Sequence, residues 1–137
     1  MKKLLFLLLF IFSVTTAYAA FPIDYNEKYD IGLNDKTFTL NKNIVTVSVT
    51  RPVKPLKAFT LSYNFKESNI SKVNLKSNME MNMGLFKSQA IQKSPNLFTA
   101  ELILTKCMSG RTKWYTEADI FYKDGSSEKL YIFYDVK

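Results

Sequence analysis

The chain has no histidine and a single cysteine, Cys107, in 137 residues. Without imidazole, Ser and Cys lack the usual base that would activate them near neutral pH, and the commonest metal ligand is missing. One cysteine excludes an intramolecular disulfide and every paired-cysteine zinc or redox motif. Glycine and proline are sparse, four of each, and no Gly-rich phosphate loop is built from them. Charge does not condense into blocks. After the first twenty residues no apolar run approaches the roughly 20 residues of a membrane span. Asp119, Asp124 and Glu128 fall within a regular hairpin pattern and form no recognisable acid–base pair. These absences disfavour an enzyme, a zinc protein and a nucleotide-binding domain.

What is present begins with an address. Met1-Lys2-Lys3 is a short basic segment, Leu4 to Val14 is almost wholly apolar, and Ala17-Tyr18-Ala19 supplies small residues where a signal peptidase reads. Residues 1–19 are therefore expected to be a cleaved signal peptide. No cysteine stands at the cleavage site, which excludes a lipoprotein. The expected product is a soluble exported protein, periplasmic and not integral to the membrane once cleaved. Removal of Lys2 and Lys3 leaves 17 of the 19 basic residues against 12 acidic ones, lowering the formal charge from +7 to +5. The excess is scattered, as at Lys54, Lys57, Lys66, Lys72 and Lys76. It suits solubility and weak attraction to an acidic partner or anionic lipid. Export argues against nucleic acid as a ligand.

Residues 20–35 are polar and aromatic without a sustained period and read as an extended N-terminal arm. From residue 36 to 137 alternation dominates. Ile44 to Thr50 is rich in β-branched residues, Ala58 to Lys66 alternates Phe59, Leu61, Tyr63 and Phe65 with polar neighbours, and Leu97 to Lys106 places Phe98, Ala100, Leu102 and Leu104 on one face. Arg51-Pro52-Val53-Lys54-Pro55 reads as a crossover between sheets, and Ser88 to Asn96 as the longest loop. Asp124-Gly125 marks the turn of a closing hairpin. Short strands joined by turns predict an all-β protein, an antiparallel immunoglobulin-like β-sandwich of seven or eight strands. The expected core includes Phe59, Leu61, Phe65, Val73, Leu102, Leu104, Trp114, Ile120, Tyr131 and Phe133.

Three of the five methionines, Met79, Met81 and Met83, stand at i, i+2 and i+4. On a strand they share one face, continuing Val73 and Leu75, while Asn78, Glu80 and Asn82 keep the other face polar. Cys107 is followed directly by Met108. Thioethers and a thiolate select Cu(I) by softness, so Met81, Met83 and Cys107 are candidate metal ligands, with Met79 and Met108 as auxiliaries. The same row also reads as core filling, since methionine packs irregular gaps and lone cysteines are commonly buried, or as a partner-binding surface. The metal reading places the Leu97–Lys106 strand beside the methionine strand. Trp114 is expected in the core.

In the C-terminal half, Met81-x-Met83-Gly84, Leu104 and Cys107 at a strand end, Ser109-Gly110-Arg111 and Trp114 form a pattern. It resembles that of small exported bacterial β-sandwich proteins of the YtkA-like and FixH-like type, over about residues 57–137. The resemblance implies copper handling or haem–copper oxidase maturation, with a copper ion and another periplasmic copper protein or oxidase assembly factor as partners. The chain departs from histidine-rich copper binders in having none, which bears on Cu(II) more than Cu(I). Two functions follow as expectations: a periplasmic Cu(I)-binding accessory protein, and a non-catalytic envelope protein-binding module whose Met and Cys are core residues.

Overall fold

The structure, a computed structural model, describes residues 24–79 and 84–137. The signal-peptide reading therefore lies outside the described residues. Among the described residues nine strands form: β1 Lys36–Thr39, β2 Ile44–Val49, β3 Phe59–Phe65, β4 Ile70–Met79, β5 Phe86–Gln89, β6 Ile91–Ser94, β7 Leu97–Leu102, β8 Lys113–Tyr122 and β9 Ser127–Asp135. They make two antiparallel sheets, one ordered β1-β2-β3-β7-β6 and the other β5-β4-β8-β9. A single 3-10 turn at Glu27–Tyr29 is the one helical element among the described residues.

The all-β sandwich expected from alternation is present, with nine strands rather than seven or eight. The Ser88–Asn96 segment is not a loop. It contains the end of β5, then Ala90, where the chain passes from one sheet to the other, and then β6. All four residues of β6 are exposed and β5 is only half covered, so neither carries the inside–outside contrast by which strands announce themselves. The Arg51–Pro55 segment is not a crossover between sheets either. It joins β2 to β3, which are neighbours in one sheet with Val49 opposite Leu61.

The core is built from the alternating positions of both sheets. Val45, Val47 and Val49 of β2, Leu61, Tyr63 and Phe65 of β3, and Phe98, Ala100 and Leu102 of β7 face Val73 and Leu75 of β4, Trp114, Ala118 and Ile120 of β8, and Leu130, Ile132 and Tyr134 of β9, all buried. Phe59 meets Tyr134 edge-on across the layers, ring centroids 5.7 Å apart. Aromatic side chains bury about 150–250 Å² each, which lets a domain with no disulfide build an adequate core. One polar chain runs through this core. Ser77 Oγ and Thr116 Oγ1 are 2.8 Å apart, and Thr116 Oγ1 lies 2.7 Å from the Tyr134 hydroxyl.

Of the expected core residues, Tyr131 is only half-buried, and Phe133 is buried for another reason. Both alternate out of phase with the inward Leu130, Ile132 and Tyr134. Phe133 is covered by the N-terminal segment. The Ile31 N–H donates to the Phe133 carbonyl at 2.8 Å, Asp30 bridges Phe133 in parallel, and the Tyr25 ring meets Phe133 edge-on at 5.2 Å. Ile31 itself is fully buried. The segment is fastened by charge as well: Lys113 Nζ donates to Asp30 at 2.7 Å and to Asp135 at 2.9 Å.

Candidate metal centre

The sequence offers five sulfurs of interest, and among the described residues the fold brings Met79 and the segment carrying Cys107 and Met108 to one end of the sandwich. β4 finishes at Met79, which lies opposite Trp114 near the start of β8. β5 pairs back on β4 with Ser77 opposite Phe86, so the chain reverses between Met79 and Phe86 instead of continuing as one long strand. Met81 and Met83 fall in that interval and lie outside the described residues. Met79 points inward, 2% exposed, in phase with Val73, Leu75 and Ser77. Beside it, Trp114 is fully buried and meets Phe86 edge-on at 5.5 Å.

Cys107 arrives from the other sheet. β7 pairs with β3 and β6, not with β4, so the expected side-by-side placement of the cysteine strand and the methionine strand does not occur. Strand periodicity reports which face a residue takes but not which sheet it joins. The chain leaves β7 at Leu102 and crosses to the second sheet, entering β8 at Lys113. Cys107 lies in that crossover, which delivers Trp114 to its pairing with Met79. The C-terminus closes the same end: Val136 N–H donates to Thr112 O at 2.8 Å, and Lys137 N–H to Val53 O at 3.1 Å.

Within the crossover Cys107 is buried, whereas its neighbour Met108 is fully exposed. The Cys107 Sγ is 2.9 Å from the Ser109 hydroxyl. Hydrogen bonding from the Ser109 side chain, then from its backbone, holds the thiol below its ordinary pKa; burial opposes this less strongly, and Arg111 adds to the lowering. A thiol drawn toward thiolate is a soft nucleophile and a soft ligand. The role of Ser109 went unassigned in the sequence, where it stands only as part of a Ser-Gly-Arg turn. The cue was its spacing: two residues after the cysteine, in a tight turn whose Gly110 N–H returns to the Cys107 carbonyl at 3.2 Å.

The outer face at this end also departs from the simple polar pattern. Asn78, Tyr115 and Phe133 lie in register across β4, β8 and β9, and all three are buried. Asn78 therefore does not mark a solvent face. Its side-chain oxygen accepts from the Met79 N–H at 2.8 Å, and burial raises the Tyr115 hydroxyl above its usual pKa while a hydrogen bond with Asn78 works against that. Both faces of the sheet are covered where β4 leads into the methionine segment. Among the described residues no group of three or more His, Cys, Asp or Glu side chains is placed to hold a metal.

No protein-family model matches the chain, and no curated protein matches it. The YtkA-like and FixH-like likeness thus rests on the quoted residue pattern. The fold is similar to the crystal structure of the PmoD soluble domain from Methylocystis sp. ATCC 49242 (Rockwell). The TM-score is 0.52 with 9% sequence identity, over 74% of this chain and 97% of that one. At that identity the likeness establishes a shared fold. Among the described residues no helix is long and apolar enough to cross a membrane.

Proposed function

We propose that this is an exported, non-catalytic accessory protein that carries Cu(I) as cargo in copper homeostasis or haem–copper oxidase assembly. The cargo would be held by Cys107, Met81 and Met83, with Met108 as auxiliary and Met79 as packing. The observation that carries the reading is the convergence of two chain segments at one end of the sandwich. The crossover bearing Cys107 feeds the start of β8, and Trp114 there pairs with Met79, from which the Met81–Met83 segment departs.

The donor set suits the ion. A thiol held below its ordinary pKa and flexible thioethers match a soft monovalent cation, whereas zinc and Cu(II) favour the imidazole that this chain lacks. The signal-peptide pattern and the Met-x-Met-Gly and Cys…Trp resemblance support an exported copper-handling role. A competition titration of the reduced protein against a Cu(I)-specific chelator tests this. One equivalent should bind, with binding lost in Cys107→Ser and sharply weakened in Met81→Leu and Met83→Leu, while Met79→Leu retains it. A wild-type protein stripped by even a weak chelator would end the copper reading.

A second reading, an envelope protein-binding module, is favoured by a groove of about 590 Å³ between β1 and β9. Phe38, Leu40, Leu130 and Tyr131 give it apolar walls, and Lys28, Glu128 and Lys129 line it with charge. Tyr29 stacks flat on Phe38 with centroids 5.6 Å apart. Copper-independent capture of a specific envelope partner, unaffected by Cys107→Ser with Met81→Leu and lost on Phe38→Ala, would favour this function over the first.

A further inference from the structure

We infer that the end of the sandwich bearing the β2–β3 connection and the β7–β8 crossover docks on an anionic phospholipid surface. Among the described residues, four of the seven exposed large apolar side chains, Leu56, Leu85, Ile103 and Met108, belong to connections or strand ends at this end of the two sheets; the others are Tyr25, Leu33 and Ile91. Leu56 is tied to the residue after Ile103: its N–H donates to the Leu104 carbonyl at 2.8 Å. Leu56 has φ 58°, the left-handed region that bulky side chains avoid. It is nevertheless 71% exposed, so little core packing offsets that conformation.

Between these aliphatic tips stand lysines. Lys54 and Lys57 flank Leu56, Lys106 lies two residues before Met108, and Lys137 is tied to the β2–β3 connection through Val53. All four are exposed, and none makes an ion pair within 4.0 Å among the described residues. Of the nearby carboxylates, Asp35 and Asp135 are engaged by Arg51 and Lys113, and the exposed Glu101 near the end of β7 is outnumbered by the four lysines. The end is thus positive and apolar at once.

That combination fits a lipid surface better than a protein. Protein interfaces are depleted in Lys and anchored by Trp, Tyr or Arg seated in pockets. Here the aromatic anchor of this end, Trp114, is fully buried, and the groove described above lies elsewhere, between β1 and β9. Separate aliphatic tips ringed by long Lys side chains suit a bilayer interface, where apolar tips enter the headgroup boundary and ammonium groups reach phosphate.

The inference does not rest on copper binding, and none of the substitutions below touches a proposed ligand. The test uses protein recovered from the soluble envelope fraction of cells expressing the full chain. It is sedimented with phosphatidylcholine vesicles prepared with and without phosphatidylglycerol. The protein should partition onto phosphatidylglycerol vesicles alone and be released by salt. Lys54→Glu with Lys57→Glu should weaken partitioning about tenfold or more, from lost attraction to anionic lipid. Ile103→Ser should weaken it through loss of an apolar tip. Leu56→Gly should also weaken binding while folding at least as readily, because Gly suits the left-handed φ. The reversal Lys66→Glu with Lys123→Glu, at the opposite end, changes net charge equally and should leave most binding intact. Absence of vesicle binding would overturn the inference and leave an acidic protein as the fitting partner. Indifference to phosphatidylglycerol, or equal loss from the opposite-end variant, would also overturn it.

Discussion

Met79 stands directly across the β4–β8 ladder from Trp114, and the two are buried to 2% and 0% exposure. The first methionine of the Met-x-Met-x-Met row therefore fills the core at the last residue of β4. Met79→Ala should destabilise the fold by about 2–5 kcal/mol through the cavity beside Trp114, whereas Met79→Leu should cost less than about 1.5 kcal/mol. Urea unfolding followed by Trp114 fluorescence measures both. Equal, small effects of the two substitutions would show that this end is not packed as described.

Two buried tyrosines offer an opposite pair of expectations. The Tyr134 hydroxyl joins the Ser77–Thr116 chain, while the Tyr63 hydroxyl, fully buried, finds no hydrogen-bond partner among the described residues. Burial pushes both hydroxyls above their usual pKa, Tyr134 to about 12. Tyr63→Phe should stabilise the protein by about 1 kcal/mol, since it removes a desolvated group with nothing to bond. Tyr134→Phe should instead cost about 1 kcal/mol by removing one hydrogen bond of the buried chain, Thr116 keeping Ser77 as its partner. Chemical denaturation of the two variants in parallel decides; a destabilising Tyr63→Phe would mean that its hydroxyl is satisfied.

The clasp of Lys113 on Asp30 and Asp135 gives stability a pH signature. Burial alone would raise both carboxyls, but hydrogen bonds from Lys113, aided by Tyr25 and Gly32 at Asp30 and by Thr112 at Asp135, hold them below the usual range. A lowered folded pKa means that their contribution is complete above the unfolded carboxyl value, about 3.9, and is lost as pH falls through the folded values. Burial would lower the Lys113 pKa, yet its two carboxylates raise it. Its contribution is complete below about 10.4 and is lost as pH rises through the folded value. Lys113→Met should flatten the acid limb. At neutral pH it should cost about 1–3 kcal/mol, less than for a fully buried pair because these groups are partly exposed. Thermal unfolding from acid to neutral pH would show whether the limb is still there in the variant.

The sandwich was legible wherever a strand has one wet face and one dry face. In β2, β3 and β7 the alternation of Val45, Leu61 or Phe98 with polar neighbours reports the pleat directly. β6 was not legible because Ile91 to Ser94 bury nothing; the strand exists through its hydrogen bonds to β7. Asn78 escaped for the converse reason, and Phe133, expected in the core, is buried on that same outer face. They are covered on a face that alternation assigns to solvent, Phe133 by a segment a hundred residues earlier in the chain. The candidate site was legible as an inventory of sulfurs but not as an arrangement. Residue spacing showed that Met79 and Cys107 suit buried positions, while the assignment of β4 and β7 to different sheets depends on pairings across the whole chain.

Ser109 is the partner through which the lone thiol can be tuned without being removed. Its hydroxyl lies 2.9 Å from Cys107 Sγ, and its hydrogen bonds are the leading cause of the lowered thiol pKa. Ser109→Ala should raise that pKa, seen as a shift of the thiolate ultraviolet absorbance to higher pH in the metal-free protein. It should leave the fold intact, because Ser109 is exposed. If Cys107 is a Cu(I) ligand, apparent affinity should fall about tenfold per pH unit below the thiol pKa, since one proton competes with the metal. That decline should begin at higher pH in Ser109→Ala and vanish in Cys107→Ser along with most of the binding. A thiol titration unchanged by Ser109→Ala would break the link between the turn and the cysteine. A shifted thiol titration with an unshifted copper profile would instead remove Cys107 from the ligand set and return it to the core.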